Sequence, residues 1–148
     1  MQDKRFLHTL PPSLMVGRMI SIFLIDDDPI YLLLARMIIN SADSRFVITE
    51  FMQAEDALDY LVQNKNKTDL LPDIIFLDLS MPFMDGWAFL EQYEILTTEM
   101  AKATTLYVVS SSISPEDVSR AKRHQLVRDF LVKPVGKDKM IEIAAISQ

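Results

Sequence analysis

The chain has 148 residues, 49% of them hydrophobic, and a formal net charge of −6. This length and composition predict one globular domain with a substantial core, and they exclude a chain that is disordered throughout. There is no cysteine, which excludes disulfides and thiolate chemistry. Because the charge is acidic and no apolar run approaches the ~20 residues of a membrane span, we expect a cytoplasmic protein with no direct contact to nucleic acid or membranes.

The first 18 residues differ from the rest of the chain. They contain Pro11-Pro12, show no sustained hydrophobic periodicity, and lack the apolar stretch and cleavage site of a secretory signal. We therefore expect residues 1–18 to form an extension that is disordered or loosely docked, and residues 19–148 to form the folded domain.

From residue 20 onward, short apolar runs alternate with amphipathic segments. The apolar runs predict strands at Ile20–Ile25, Phe46–Phe51, Ile74–Asp78, Thr104–Val109 and Val127–Val132. The amphipathic segments predict helices that begin at Pro29, Ala54, Trp87, Pro115 and Lys137 and end near Ala42, Asn64, Leu96, His124 and Ile146. Five strands alternating with five helices favour an α/β domain with a parallel sheet and right-handed crossovers.

Polar residues stand at the carboxyl ends of four predicted strands. They are Asp26 and Asp27 after the first strand, Asp78 at the end of the third, Ser110 after the fourth and Lys133 after the fifth. Parallel α/β sheets bind their ligands outside the carboxyl ends of the strands. We therefore expect these five side chains to meet at one edge of the sheet.

Carboxylates brought so close together disfavour one another's ionisation and need a cation, a shared proton or water between them. Mg²⁺ takes oxygen ligands, typically one or two carboxylates together with a phosphate. Asp78 is then placed to attack phosphorus and form an aspartyl phosphate, while the ammonium of Lys133 offsets charge on the phosphoryl oxygens. Ser110 alone fits a polar loop before a helix cap, but its hydroxyl can also donate to a phosphoryl oxygen.

The loop after the third strand is bracketed by Met81-Pro82 and Asp85-Gly86. These residue types suit a turn that needs a positive φ, and we expect Gly86 to shape the rim of the site. Trp87 follows directly, and we expect it to pack between its helix and the sheet.

This set of residues resembles a known family in residue type, order and spacing. The matching motifs are Asp26-Asp27, Asp78 with Met81-Pro82 and Asp85-Gly86, Ser110, and Lys133-Pro134. They resemble the receiver domain of two-component response regulators, here of the stand-alone, single-domain type. The resemblance implies a flavodoxin-like, doubly wound five-stranded parallel sheet with strand order 2-1-3-4-5. It also implies a signalling phosphoacceptor that is not an enzyme, with self-phosphorylation from small phosphodonors and autodephosphorylation.

The resemblance also implies a role for each matching position. Asp78 is the phosphoacceptor, Asp26 and Asp27 are the acidic pair at the metal, and the backbone carbonyl of Ser80 completes the protein ligands of Mg²⁺ or Mn²⁺. The remaining roles are Lys133 as the amine, Ser110 as the switch hydroxyl and Phe130 as the switch aromatic. Ser110 stands where the family often has Thr, and Phe130 stands where it often has Tyr.

The implied partners lie on both sides of the phosphorylation step. A histidine kinase or histidine phosphotransfer protein donates the phosphoryl group, which adds roughly −1.5 to −2 charge at Asp78. Ser110 and Lys133 move toward that group and Phe130 repacks inward. The face made by the fourth helix, the fifth strand and the fifth helix then changes shape for a separate, unknown protein partner, or for a homodimer.

Two other functions fit part of the pattern. A haloacid-dehalogenase-type phosphatase also uses Mg²⁺, a nucleophilic Asp, a hydroxyl and a Lys, and Asp26-x-Asp28 resembles its opening motif. Its acidic pair comes after the Lys, however, whereas here the pair comes first. The third possibility is a receiver-like interaction module that never takes a phosphoryl group.

Overall fold

The computed structural model describes residues 18–147, so residues 1–17 of the extension predicted for residues 1–18 lie outside them. The elements in chain order are β1 Ile20–Ile25, α1 Pro29–Ala42, β2 Phe46–Phe51, α2 Ala54–Gln63, a 3-10 helix Thr68–Leu70, β3 Ile74–Asp78, α3 Gly86–Thr97, β4 Thr105–Ser110, α4 Pro115–Arg123, β5 Val127–Val132 and α5 Lys137–Ile146. The predicted alternation of strands and helices is confirmed.

Within residues 18–147 the five strands form one parallel sheet in the order β2-β1-β3-β4-β5. Helices α1 and α5 cover one face of the sheet, and α2, α3 and α4 cover the other. This is the predicted doubly wound α/β fold. The strand order reverses direction between β1 and β3. Such sheets bind ligands at this point, outside the carboxyl ends of the strands.

The sheet is buried on both faces because successive side chains of each strand point to opposite sides. In β3, Ile75 and Leu77 pack with α2 and α3, whereas Ile74 and Phe76 pack with α1 and α5. Every residue of β3 is buried, including the terminal Asp78. The central strand therefore carries a carboxylate from the core to the edge of the sheet.

Side-chain caps stabilise the starts of α1 and α4, which lie at the residues predicted from the sequence. The Asp28 carboxylate accepts hydrogen bonds from the backbone N–H groups of Ile30 and Tyr31, and Pro29 begins α1. The Ser114 hydroxyl accepts from the N–H of Asp117 at the start of α4. Both bounds of β4 lie one residue later than predicted: the strand runs from Thr105 to Ser110, so Ser110 ends the strand and does not follow it.

The loop between β3 and α3 uses its glycine differently from the prediction. The positive φ in this loop belongs to Phe83, at 68°. Gly86 is required for a different reason, because a Cβ there would lie 2.6 Å from the carbonyl oxygen of Asp78 and 2.8 Å from the Cα of Leu79. The absence of a side chain lets α3 begin directly against the end of β3.

Candidate functional site

The strand register brings the predicted polar residues to one edge of the sheet. Ile25 pairs with Leu77, so Asp26 and Asp78 are each the next residue along neighbouring strands. Ser110 pairs with Val132, which places Lys133 beside the end of β4. The backbone N–H of Lys133 donates to the carbonyl of Ser110 at 2.9 Å, which fixes this end of β5.

Three carboxylates cluster at this edge. Asp26, Asp27 and Asp78 each offer an oxygen, and these oxygens all lie within 4.8 Å of one another. Asp26 and Asp78 are only 4% and 5% exposed. The N–H of Asp28 donates to Asp26 Oδ1 at 2.9 Å, and the N–H of Ser80 donates to Asp78 Oδ1 at 3.3 Å. The backbone thus orients both buried carboxylates without neutralising them.

Lys133 brings an ammonium into the acidic cluster. Its Nζ lies 2.5 Å from Asp26 Oδ2 and 3.5 Å from Asp78 Oδ1. Since the cluster holds three carboxylates and this contact supplies one positive charge, it keeps an excess of negative charge. An anionic site of oxygen donors is suited to a hard divalent cation such as Mg²⁺ or Mn²⁺.

The electrostatic imbalance is concentrated on Asp78. Burial raises the pKa of Asp78, the negative charge of Asp26 raises it further, and Lys133 and the Ser80 N–H offset this only in part. The resulting pKa is about 6, against an ordinary value of 3.8. The carboxylate is therefore ionised at neutral pH but held at a cost, which an added cation relieves.

Tyr31 is a part of the site that the sequence reasoning missed. Its ring lies over Lys133, with Nζ 4.3 Å from the ring centroid, a cation–π geometry. Burial and the charge of Asp26 raise the pKa of Tyr31 to about 12, so the ring stays a neutral phenol. Tyr31 lies in the first turn of α1, four residues after Asp27, but no fixed spacing links it to Lys133 in the sequence.

A family model described as the response regulator receiver domain matches residues 22–145. The chain belongs to the response regulator receiver domain family. This receiver is therefore a member of the phosphoacceptor domain family of two-component signalling, and its strand order is the one expected for that family. The family match decides between the first two functions that the sequence left open, in favour of the receiver over the phosphatase.

Curated relatives include both short and long proteins. The chemotaxis protein CheY of Listeria monocytogenes is 28% identical over 127 residues, which cover 84% of this chain and 94% of that protein. The two-component response regulator ARR10 of Arabidopsis thaliana is 30% identical over 119 residues, 80% of this chain but 19% of that protein. The probable methanogenesis regulatory protein FilR2 of Methanothrix harundinacea is 35% identical over 80 residues, 54% of this chain and 50% of that protein. The chain thus spans half or less of the length of the latter two.

Solved structures share the fold. A two-component response regulator from Cytophaga hutchinsonii superposes with a TM-score of 0.79 at 24% identity, covering 88% of this chain and 98% of that one. A response regulator receiver protein from Dyadobacter fermentans superposes with a TM-score of 0.74 at 23% identity, covering 86% and 97%. Within the described part of this receiver, no helix has the length and apolar character needed to cross a membrane.

The other predicted site residues of the receiver lie at or near the same edge. Ser110 is buried, and its hydroxyl oxygen accepts a hydrogen bond from the N–H of Ser112 at 3.1 Å. Ser80 is exposed in the loop after Asp78 and contacts it through its N–H. Phe130 is half-buried in β5 and packs on the core beneath α2, α3 and α4. The structure therefore joins Asp26, Asp27, Asp78 and Lys133 by direct proximity, and places Ser110 beside them through the β4–β5 ladder.

Trp87 packs as predicted against the core but also contacts α4. Its Nε1–H donates to Asp117 Oδ1 at 3.3 Å, and the Arg120 guanidinium carbon lies 4.1 Å from its ring centroid. Trp87 lies in the first turn of α3, just after the loop that follows Asp78. It therefore links the start of α3 to α4, the helix that opens the predicted output face of the receiver.

Proposed function

We propose that this receiver accepts a phosphoryl group on Asp78 from the phosphohistidine of a histidine kinase or histidine phosphotransfer protein. The supporting observation is the convergence of three carboxylates and one ammonium, from β1, β3 and β5, on one buried edge. An oxygen of Asp78 forms a bond to phosphorus as the phosphorus–nitrogen bond breaks, and the electron pair of that bond returns to the imidazole. With acetyl phosphate as donor, acetate leaves in the same way.

Asp26, Asp27, Asp78 and the backbone carbonyl of Ser80 are the proposed ligands of a divalent cation. The three carboxylates fit this role because their oxygens lie within 4.8 Å of one another and Lys133 balances only part of their charge. A bound Mg²⁺ or Mn²⁺ supplies positive charge for the phosphoryl oxygens. Asp26 and Asp27 hold that charge in place, while Asp78 keeps one oxygen free to attack phosphorus.

Lys133 and Ser110 are proposed to bind the transferred group. Lys133 already reaches Asp78, so its ammonium can neutralise a phosphoryl oxygen without a large movement. The Ser110 hydroxyl now uses a lone pair toward the N–H of Ser112, which leaves its own proton for a phosphoryl oxygen. Tyr31 is a positioning residue in this scheme, because its ring contacts the Lys133 ammonium at 4.3 Å from the ring centroid.

An exposed apolar face of α1 lies next to the site. The residues Ile30, Leu33, Leu34 and Met37 of α1 are exposed and share one helix face, and Ile30 is 80% exposed. This face begins within the first turn after the acidic pair. We propose that a helical surface of the donor packs on it while its phosphohistidine reaches Asp78, since exposed contiguous apolar surface marks interaction sites.

The output of phosphorylation is proposed to pass through α4, β5 and α5. Movement of Ser110 toward the phosphoryl group pulls the loop that leads into α4, and Phe130 repacks in the space released. A separate protein partner, or a second copy of the chain, then binds the altered face. A partner that moves the equilibrium from 1:99 to 99:1 needs ~5.5 kcal/mol of preference for the altered state.

Intact-mass spectrometry with acetyl phosphate tests the proposal. The unmodified chain should gain the mass of one phosphoryl group with Mg²⁺ and none with excess EDTA, and the label should decay as water regenerates Asp78. Asp78→Asn should take no label. Asp73→Asn, at the opposite end of β3, is the matched control and should still be labelled. Undiminished labelling of Asp78→Asn would contradict the proposed acceptor, and an unmodified chain that never gains mass would support the non-phosphorylated interaction module.

A further inference from the structure

Phe83 is an aromatic residue that the fold itself does not use. It lies in the loop between Asp78 and α3, and its side chain is 92% exposed. Its loop neighbours behave differently, because Met81 is buried and Met84 packs against the core. The Phe83 ring therefore contributes little apolar burial to folding.

The backbone at Phe83 is also unfavourable. Its φ of 68° lies in the left-handed region, where a bulky side chain crowds the backbone and where glycine or asparagine is normally found. A non-glycine residue held in this region points to a constraint other than folding, and such residues cluster at functional sites. Side chain and backbone thus lead independently to a role outside the folded chain.

The position of Phe83 indicates which partner would meet it. Asp78 is only 5% exposed, so a donor must approach closely across the loops that follow the strands. The β3–α3 loop that carries Phe83 is one of these loops, and it begins at Asp78 itself. A protein donor that brings phosphohistidine to Asp78 therefore presses against this loop, whereas acetyl phosphate is too small to do so.

We propose that Phe83 is an aromatic anchor that inserts into an apolar pocket of the protein phosphodonor, beside its phosphohistidine. This rests on the proposed function, and it adds a residue that selects protein donors without taking part in the chemistry. An aromatic side chain has few rotatable bonds and loses little conformational entropy when it becomes buried, which is why aromatic residues are prominent in interface energetics. The donor pocket would cover Phe83 while α1 packs on the donor's apolar helical surface.

Substitutions at Phe83 separate docking from chemistry. Phe83→Asn removes the ring but adopts a positive φ readily, so the chain should fold with an unchanged or higher denaturation midpoint. Phe83→Tyr keeps the ring. Ile95→Gln is the matched control, because Ile95 is also an exposed apolar residue but lies toward the C-terminal end of α3.

The probes are acetyl phosphate and the purified, phosphorylated histidine phosphotransfer domains and kinase cores of the source organism. For the protein donor that phosphorylates the unmodified chain, kcat/KM for transfer should fall about 10- to 30-fold in Phe83→Asn. It should stay within about twofold in Phe83→Tyr and Ile95→Gln. The rate of labelling by acetyl phosphate should be equal in all four proteins.

Three results would overturn the inference. Transfer from the protein donor to Phe83→Asn at the rate of the unmodified chain would show that the ring binds nothing in that donor. An equal loss with acetyl phosphate would place the effect in the chemistry of the site. Labelling by acetyl phosphate but by none of the protein donors would show that Phe83 has no protein donor to bind, while the Asp78 chemistry would stand. If no donor labels the chain, the proposed function itself is contradicted.

Discussion

An aspartate stands at each end of the central strand, Asp73 half-buried and Asp78 buried, and the charges around them differ in sign. Asp73 precedes β3 and meets two cations, with Lys102 Nζ at 2.9 Å and an Arg18 nitrogen at 3.2 Å, while the N–H of Ser21 donates to it at 2.8 Å. Asp78 ends β3 and meets two other carboxylates, with Lys133 at 3.5 Å. The charge of Asp73 is balanced by cations, whereas the cluster around Asp78 keeps an excess of negative charge.

The difference shows how one residue type serves anchoring and chemistry in a single strand. Burial raises the pKa of Asp73, but Lys102, the Ser21 N–H and Arg18 outweigh it and hold the pKa below 3.8. At Asp78 burial and Asp26 prevail, and the pKa is about 6. Asp73 therefore stabilises the fold as an ion, whereas the ionised Asp78 destabilises it until a cation or phosphoryl chemistry uses the charge.

Replacing Lys133, beside Asp78, and Lys102, beside Asp73, should give the largest difference between the two ends of β3. Lys133→Ala should slow labelling of Asp78 by acetyl phosphate about 100-fold at saturating Mg²⁺, since removing one preorganised electrostatic partner typically costs this much. Lys102→Ala should leave the labelling rate unchanged and lower the denaturation midpoint. Time-resolved intact-mass spectrometry and urea denaturation measure the two effects, and equal labelling rates for Lys133→Ala and the unmodified chain would contradict the role of Lys133.

Neutralising Asp73 should lower the stability of the fold without affecting the labelling of Asp78. Asp73→Asn leaves Lys102 partly buried without its ion partner, so the free energy of unfolding should fall by about 2 kcal/mol. Labelling of Asp78 should persist at the rate of the unmodified chain wherever the variant is folded. Urea denaturation monitored by circular dichroism measures the loss, and an Asp73→Asn chain as stable as the unmodified one would show that the contacts of Asp73 contribute nothing.

Ionisation of Asp78 should lower the stability of the fold, whereas ionisation of Asp73 raises it. In EDTA, folding raises the pKa of Asp78 from 3.8 to about 6. The protonated form of Asp78 therefore favours the folded state, and this contribution is complete below about pH 4 and is lost as the pH rises through 6. At pH 7.5, the free energy of unfolding of Asp78→Asn should therefore exceed that of the unmodified chain by about 2 kcal/mol, as measured by urea denaturation. The gap should close at pH 4 and shrink with added Mg²⁺; a gap that is the same at both pH values would refute the raised pKa.

The contact between Tyr31 and Lys133 should have the smallest effect. A cation–π pair of this exposure contributes ~0.5–1 kcal/mol, so Tyr31→Leu should slow labelling by acetyl phosphate about two- to fivefold. Tyr31→Phe keeps the ring and should retain the rate. If both variants behave alike in the same mass-spectrometric assay, the ring face is not what positions Lys133.

Most of the fold was predictable because its signals are local. Short apolar runs and amphipathic segments predicted the order of strands and helices, and the carboxyl-end rule predicted that Asp26, Asp78 and Lys133 meet. The carboxyl-end rule does not cover Asp73, however, which lies at the start of the same apolar run. Its contacts with Arg18 and Lys102 form between distant parts of the chain, and no sequence pattern indicates them.

Contacts between separate elements account for what the sequence did not predict. The ring of Tyr31 reaches Lys133 across α1 and β5, and Trp87 reaches Asp117 and Arg120 across α3 and α4. Neither pairing has a fixed spacing that a pattern can detect. The positive φ at Phe83 was unexpected because the residue type argues against it, which is also why that position is informative.

Identifying the phosphorylated residue tests the central claim most directly. The receiver is incubated with acetyl phosphate and Mg²⁺, the acyl phosphate is reduced with borohydride, and the resulting homoserine is located by tandem mass spectrometry. Homoserine should form at position 78 alone, and only when Mg²⁺ is present. Homoserine at Asp73, Asp26 or Asp27, or formation at position 78 that persists in EDTA, would contradict the claim that the anionic end of β3 is a cation-dependent phosphoryl acceptor.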